Sequence, residues 1–353
     1  MVHSAPRLES VLAGLKSLVL TGSGSSEFAG YCVRLGLQKR LGVDCHSLSG
    51  GSILTYGLDV MPPGRPCAMV SFARSGDSPE STGAVDLVLD TEPDTRQLFI
   101  TCNAAGRLAT GYDGNPRVQT VVLDQRTNDR SLAMTSSFTN MALGATFLGF
   151  VNDTAAYLEL CTRLSGICEM LLEQHIGTLA QVARGPFKRT LFLGSGPRYG
   201  AAREAALKML EMTAGRLPTL AESYLGLRHG PMSYVHDDTL IVCFLSSDPV
   251  LQAYESDLIA ELNQKQLGAS KVLIGEGISQ DLLRPGDTAI ELPGLAQAGD
   301  DDSAVIHVVA GQLLAFFRCL AEGLKPDSPS DAGVIQRVVG DFTVHRPAEQ
   351  VRR

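Results

Sequence analysis

Glu204, Lys208 and Glu211 stand at positions i, i+4 and i+7 of the string EAALKMLE. On a helix that spacing places all three along one face. Two settings fit it. A solvent-facing stripe would be an ordinary run of surface ion pairs. A line at the edge of a cleft would give two carboxylates poised by one ammonium, with one carboxylate serving as a general base. The other positions of 201–214 are mostly Ala, Leu and Met, so the helix that carries the three is largely buried. Further along, His229 sits in Leu227-Arg228-His229-Gly230-Pro231. There the backbone of a Gly/Pro-bounded turn, and not core packing, places the imidazole. Histidine titrates near neutrality and can shuttle a proton, although a lone histidine also serves structural ends. No second His or Cys stands at ligand spacing, which argues against a metal.

Two Ser/Gly turns offer anion chemistry. In Thr21-Gly22-Ser23-Gly24-Ser25-Ser26-Glu27 an apolar run ends and a helical one begins. Glycines there let backbone N–H groups approach an anion at a helix N-terminus. A dinucleotide fingerprint is a competing reading, with Asp44 near the place of a ribose-binding acid. Against it, Glu27 puts a carboxylate where the third glycine should meet pyrophosphate. No Gly-Lys-Ser/Thr follows, so this is no P-loop. A plain strand-to-helix turn is the third reading. The second turn, Arg74-Ser75-Gly76-Asp77-Ser78-Pro79, has the hydroxyls of Ser75 and Ser78, the backbone of Gly76 and the charge of Arg74. Helix capping alone would also explain its Ser and Asp. In a parallel sheet both turns lie on one edge, where they can converge on one phosphate.

The elements that must hold these residues are short apolar runs alternating with helical segments. Strands are predicted at 17–21, 43–47, 67–72, 97–101 and 118–123, with helices such as 28–41 and 79–89 between them. Runs apolar on both faces belong to a parallel sheet covered on two sides. From 136 to 181 the chain reads as helix. The pattern then restarts, with strands at 189–193, 217–221, 239–245, 271–274 and 289–292. Gly194 and Gly196 follow the first of these as Gly22 and Gly24 follow 16–20. The expected fold is therefore α/β, two tandem doubly wound parallel-sheet units of three layers each. The first spans 1–160; the second, with a linker helix, spans 161–353.

Composition sets the class. The chain has 353 residues, 44% of them hydrophobic, and a net charge of -8. Nucleic acid and anionic membranes call for a basic surface, so neither is an expected partner. A phosphorylated ligand must be held by a local site. Eight cysteines, none in a CxxC pair and most within apolar runs, read as reduced thiols of a cytoplasmic protein. The N-terminus lacks the pattern of a secretory signal, and no uninterrupted apolar stretch reaches the ~18 residues that span a bilayer. The polar tail HRPAEQVRR reads as frayed.

Taken in order, GSGSSE, ARSGDSPES, EAALKMLE and LRHGP resemble the sugar isomerase (SIS) fold, carried twice by phosphosugar isomerases and by the isomerase half of glucosamine-6-phosphate synthase. NDRSLAMTSSFTNM (128–141) with ESYLGLRHGP resembles the galactosamine-6-phosphate deaminase/isomerase subfamily, also called tagatose-6-phosphate ketose/aldose isomerases. The resemblance runs over 18–344. It implies phosphate-binding positions at Gly24, Ser26, Ser75 and Ser78, with Arg74 where the synthase has glutamine. It implies an enolising carboxylate at Glu211 with companions Glu204 and Lys208, and a ring-opening histidine at His229 that acts from the neighbouring subunit of a homodimer. Sugar contacts would fall within 128–136, at Asn128, Thr135 and Ser136. The synthase's C-terminal lysine has no counterpart in 327–339, where Arg337 stands instead. The stretch before the first strand is shorter than the helical segment such relatives carry.

The expected activity is deaminating isomerisation of an amino-sugar 6-phosphate, galactosamine-6-phosphate to tagatose-6-phosphate and ammonia, with no cofactor and no metal. Plain aldose–ketose isomerisation shares every step but loss of nitrogen. A non-catalytic sugar-phosphate sensor is the alternative from another class; it would have no need of Glu211 beside His229.

Overall fold

Ten strands form where ten apolar runs predict them, and their limits differ from the predicted ones by two residues at most. The computed structural model describes residues 1–330, 333–338, 340 and 343–345. The first sheet holds β1 (Ser17–Gly22), β2 (Asp44–Ser49), β3 (Cys67–Ala73), β4 (Thr95–Thr101) and β5 (Val118–Val122) in the order β2-β1-β3-β4-β5. The second holds β6 (Arg189–Leu193), β7 (Thr219–Glu222), β8 (Thr239–Phe244), β9 (Ser270–Gly275) and β10 (Thr288–Glu291) in the order β10-β9-β8-β6-β7. Read from its other end, that is the same winding, and every pairing in both sheets is parallel. The chain is a doubly wound α/β protein of SIS type.

Alternation along the strands assigns each residue to a layer. Leu18, Leu20, Val70 and Phe72 face the large central core, whereas Val19, Met69 and Phe99 face an outer layer built on the helices Gly50–Tyr56 and Pro79–Thr91. In the second sheet Leu240, Val242 and Phe244 share the central core, and Ile241 and Cys243 pack outward against Leu258 and Ile259. The central core is filled by the helices Ser25–Leu41, Ser136–Thr146, Pro197–Met212 and Asp300–Ala321, so both sheets lean on one helical layer. Small residues let these helices close up. A Cβ on Gly311 would lie 2.5 Å from Ala205 Cβ, and one on Gly200 would lie 2.8 Å from the Cys32 nitrogen.

The helical stretch 136–181 is not continuous. It stops after Phe150 and restarts at Thr154, where Asp153 caps the new helix by accepting from the Ala156 N–H at 3.0 Å. The helix expected at 201–214 begins earlier, at Pro197, because proline suits the first turn, and it ends at Met212 ahead of Ala214 and Gly215, both at positive φ. Asp300–Ala321 is the one helix among the described residues long and apolar enough to cross a membrane, yet it is a core helix with 61% of its most apolar stretch buried. Before β1, the helix Ala5–Leu12 buries Leu8 and Val11. All eight cysteines are free. The tail HRPAEQVRR lies outside the described residues except for His345.

Candidate active site

The turns after β1 and β3 meet at the switch point of the first sheet, where strand order reverses between neighbours. The first turn closes because two positions are glycine. Gly24 adopts φ 57°, ψ −124°, and a Cβ on Gly22 would lie 2.6 Å from the Ser26 carbonyl carbon. Gly24 thus shapes the turn. Between the turns lies a cavity of about 110 Å³ lined by Ser23, Ser26, Arg74, Ser75, Ser78 and Arg337, among others. Five serines line it, counting Ser81, with Ser78 donating to Ser81 Oγ at 2.8 Å and Ser75 Oγ accepting from the Asp77 N–H at 3.3 Å. The dinucleotide reading fails on topology: Asp44 opens β2 at the opposite edge of the sheet, in register with Ser17. Glu27 turns away from the cavity to Arg203, 3.7 Å distant.

Arg74 lines this cavity, yet much of its guanidinium is already engaged. Nη1 donates to the carbonyls of Ser131 (3.0 Å) and Leu132 (2.9 Å), and Nη2 to that of Arg337 (2.8 Å). Burial and then the nearby Arg337 charge lower its pKa to about 10, against the pull of Asp129 and Glu211. Arg74 therefore ties two segments across the cradle as well as charging it. Arg337 closes the same wall, donating from Nη2 to Asn128 Oδ1 at 2.8 Å and from Nε to the Asp129 carbonyl at 3.1 Å.

The ionisable line on the Pro197–Met212 helix is buried, which removes the surface-stripe reading. Glu204 is fully buried, Lys208 is 1% exposed, and the Glu211 side chain keeps 24%. The Lys208 ammonium stands 3.3 Å from Glu204, 2.5 Å from Glu211 and 2.9 Å from Ser25 Oγ. Burial works against its charge, but the two carboxylates outweigh that and raise its pKa. One ammonium cannot neutralise two buried carboxylates. Burial accordingly pushes Glu204 up to about 7, partly offset by Lys208 and reinforced by Glu211. Glu211 is the more exposed of the two carboxylates. Lys208 and Thr135 line a second cavity of about 210 Å³ with Ser131, Ala133, Met212 and Gln312. Glu211, like His229, is not among the residues lining either cavity. The 131–135 stretch forms a wall of both cavities, with Met134 lining the first.

That wall is organised by Asp129. Its carboxylate accepts from the Thr135 N–H (2.8 Å) and Oγ1 (2.8 Å), the Ser136 N–H (3.1 Å), the Ser137 N–H (2.9 Å) and Ser137 Oγ (2.5 Å). Burial alone would raise its pKa; these bonds hold it below the ordinary value. The hydroxyl of Thr135 and the side-chain oxygen of Asn128 are thus spent on fixing the loop. Ser136 directs its carbonyl to Asn140 at 2.9 Å. His229 stands apart. It is exposed, its side chain has no hydrogen-bond partner among the described residues, and it is not among the residues lining either cavity. Sequence reasoning missed Ser25 and Asp129. Ser25 lay within the recognised turn, whereas nothing in local spacing marks Asp129 as the anchor of residues six to eight positions later.

The raised Glu204 carries a stability consequence. A carboxyl whose folded pKa lies above its unfolded value stabilises the fold fully below the unfolded value and loses that contribution as pH rises through the folded one. The thermal stability of the wild type should therefore fall between about pH 4.5 and 7, by a few kcal/mol from this group. Glu204→Gln should flatten that part of the pH profile. An unchanged slope in the variant would mean Glu204 titrates normally.

Known proteins are similar to this chain over most of its length. No protein-family model matches the chain. A Streptomyces coelicolor protein provisionally named D-galactosamine-6-phosphate deaminase AgaS is 38% identical over 340 residues, 95% of this chain and 86% of its own length. D-galactosamine-6-phosphate deaminase AgaS of Escherichia coli is 35% identical over 93% of this chain and 85% of its own length. The crystal structure of tagatose-6-phosphate ketose/aldose isomerase from Escherichia coli superposes with a TM-score of 0.84 at 33% identity, covering 94% of this chain and 90% of that one. With that identity sustained over nearly the full length of both partners, this chain belongs to the AgaS family of enzymes.

Proposed function

We propose that the enzyme converts galactosamine-6-phosphate and water to tagatose-6-phosphate and ammonia. The observation that carries this reading is the buried Glu204–Lys208–Glu211 line, of which Glu211 alone keeps appreciable exposure, close enough to the serine-lined cradle for its charge to act on Arg74. The phosphate docks on Ser26, Ser75 and Ser78, charged by Arg74. His229 of a second subunit assists ring opening, so the working unit is a homodimer with shared sites. Residues 1–160 serve as phosphate anchor and 161–353 bring the acid–base groups. Glu211 takes the C2 proton of the open aldehyde while the carbonyl oxygen gains one, giving a C1–C2 enolamine. Returning a proton to C1 leaves a C2 ketimine. Water adds at C2 and ammonia departs, so one C–N bond is exchanged for a C–O bond with no net redox change. These steps use only a placed carboxylate and its electrostatic support. Free, mostly buried thiols accord with work in a reducing cytoplasm.

The name of the Escherichia coli structural relative favours a second reading, isomerisation of an unaminated aldose phosphate. One experiment separates the two. Purified protein, with nothing added, is incubated with galactosamine-6-phosphate, with glucosamine-6-phosphate and with galactose-6-phosphate, and ammonia and ketose are followed separately. Equal yields of ammonia and ketose, in preference from the galacto amino sugar, are expected. Ketose from galactose-6-phosphate without ammonia from either amino sugar would establish the isomerase instead. Tight binding of the phosphosugars with no turnover would leave a sensor.

A further inference from the structure

The turn after β6 repeats the turn after β1 in backbone as well as in sequence. Gly196 adopts φ 54°, ψ −126°, against φ 57°, ψ −124° for Gly24. A Cβ on Gly194 would lie 2.2 Å from the Arg198 carbonyl oxygen, the same close approach that Gly22 makes to Ser26. Strand β8 pairs with β6 as β3 pairs with β1, so Ser246 and Ser247 after β8 flank this turn as Ser75 and Ser78 flank the first. The second sheet therefore has its own switch-point crevice, and there an internal carboxylate fills it. Asp300 Oδ1 accepts from the Ser247 N–H at 3.1 Å and from Ser247 Oγ at 3.0 Å, and Oδ2 accepts from Ser246 Oγ. The fully buried Arg198 forms an ion pair with Asp300, Nη1 standing 2.6 Å from Oδ1, while none of its guanidinium nitrogens has a hydrogen-bond partner of good geometry among the described residues. Glu255, 3.7 Å from the guanidinium, is engaged by the Ser246 N–H at 2.6 Å.

Two hydroxyls and a backbone N–H donating to one carboxylate, with a buried guanidinium paired to it by charge, are the groups of an oxyanion site. We infer that the second unit's crevice is a small-oxyanion site which this chain occupies with its own Asp300 side chain, pinning the start of the Asp300–Ala321 helix. Being tethered, the carboxylate meets none of the association cost that a free anion would. Glu255 remains in the wall, so the site suits a monoanion of carboxylate size. The pinned helix in turn packs on the one that carries Glu204, Lys208 and Glu211, through Gly311 against Ala205.

The test removes the tethered anion and offers a free one. Asp300→Ala is melted in increasing sodium formate, with sodium chloride at matched ionic strength as reference. The variant should gain several degrees in Tm, saturating in the tens of millimolar, as expected for a ligand bound only by the folded state. Wild type should gain nothing beyond the salt control, nor should Asp300→Asn, whose amide fills the space, and Arg198→Met added to Asp300→Ala should abolish the gain. If Asp300→Ala does not fold in chloride, refolding yield in formate becomes the readout, and Asp300→Ser is carried alongside. No formate-specific effect on either variant overturns the inference, as does an equal effect on wild type. The readout needs no substrate, so it stands or falls separately from the proposed reaction.

Discussion

Glu211→Gln is expected to lower kcat by about three orders of magnitude or more, the upper part of the range for loss of a general base and equivalent to roughly 4 kcal/mol of transition-state stabilisation. The amide keeps the side chain's length and shape, and Lys208 retains the buried Glu204 as its partner at 3.3 Å. Folding and substrate affinity should therefore change little, and the loss should fall on kcat with KM nearly constant. A second readout isolates the step. In deuterium oxide the wild type should place deuterium at C1 of the ketose product and the variant should exchange no carbon-bound proton at all. Retention of more than a tenth of the wild-type kcat would move the base elsewhere, with Glu204 excluded by its complete burial.

The second large effect is recovery of activity on mixing two inactive proteins. His229 lies exposed in its turn with no side-chain partner among the described residues, and in the proposed homodimer a neighbouring subunit presents it to the site. Glu211→Gln and His229→Ala should each be nearly inactive alone. In a two-fold dimer with sites built from both chains, a heterodimer regains one intact site of two, so random exchange of equal amounts should restore about a quarter of wild-type activity. Sites contained within one chain would give no recovery, because every chain in the mixture then carries a defect. Native mass spectrometry of the mixture establishes that exchange took place, which makes a zero result decisive against shared sites.

Much of the architecture was legible because a parallel sheet covered on both faces imposes a strong local signature. The central strands are short and largely apolar, and β1, β3 and β6 end in turns whose Gly and Ser content reflects backbone geometry. Hence all ten strands and both glycine turns could be read from the sequence, and the repeated winding followed from the second glycine turn. The helical stretch 136–181 contains a break between Phe150 and Thr154 that its composition does not announce. Apolar periodicity persists across 151–153, and only the Asp153 cap, a single side chain, marks the restart.

By itself the sequence determined the fold class, the two Ser/Gly turns and the helical spacing of Glu204, Lys208 and Glu211. All three follow from residue periodicity, which is local. Only the tertiary structure decided that this line is buried, because burial depends on the helices 25–41 and 300–321 closing over it through contacts between residues more than a hundred positions apart. The same holds for Arg74, which sequence marked as a charge for phosphate and which the fold also commits to three carbonyls brought from 131–132 and 337. It holds for Asp129, whose five hydrogen bonds exist only once the 128–137 loop has folded back on itself. A carboxylate's chemistry is written in its type, but its partners and its proton affinity are set by what the folded chain places within about 4 Å of it.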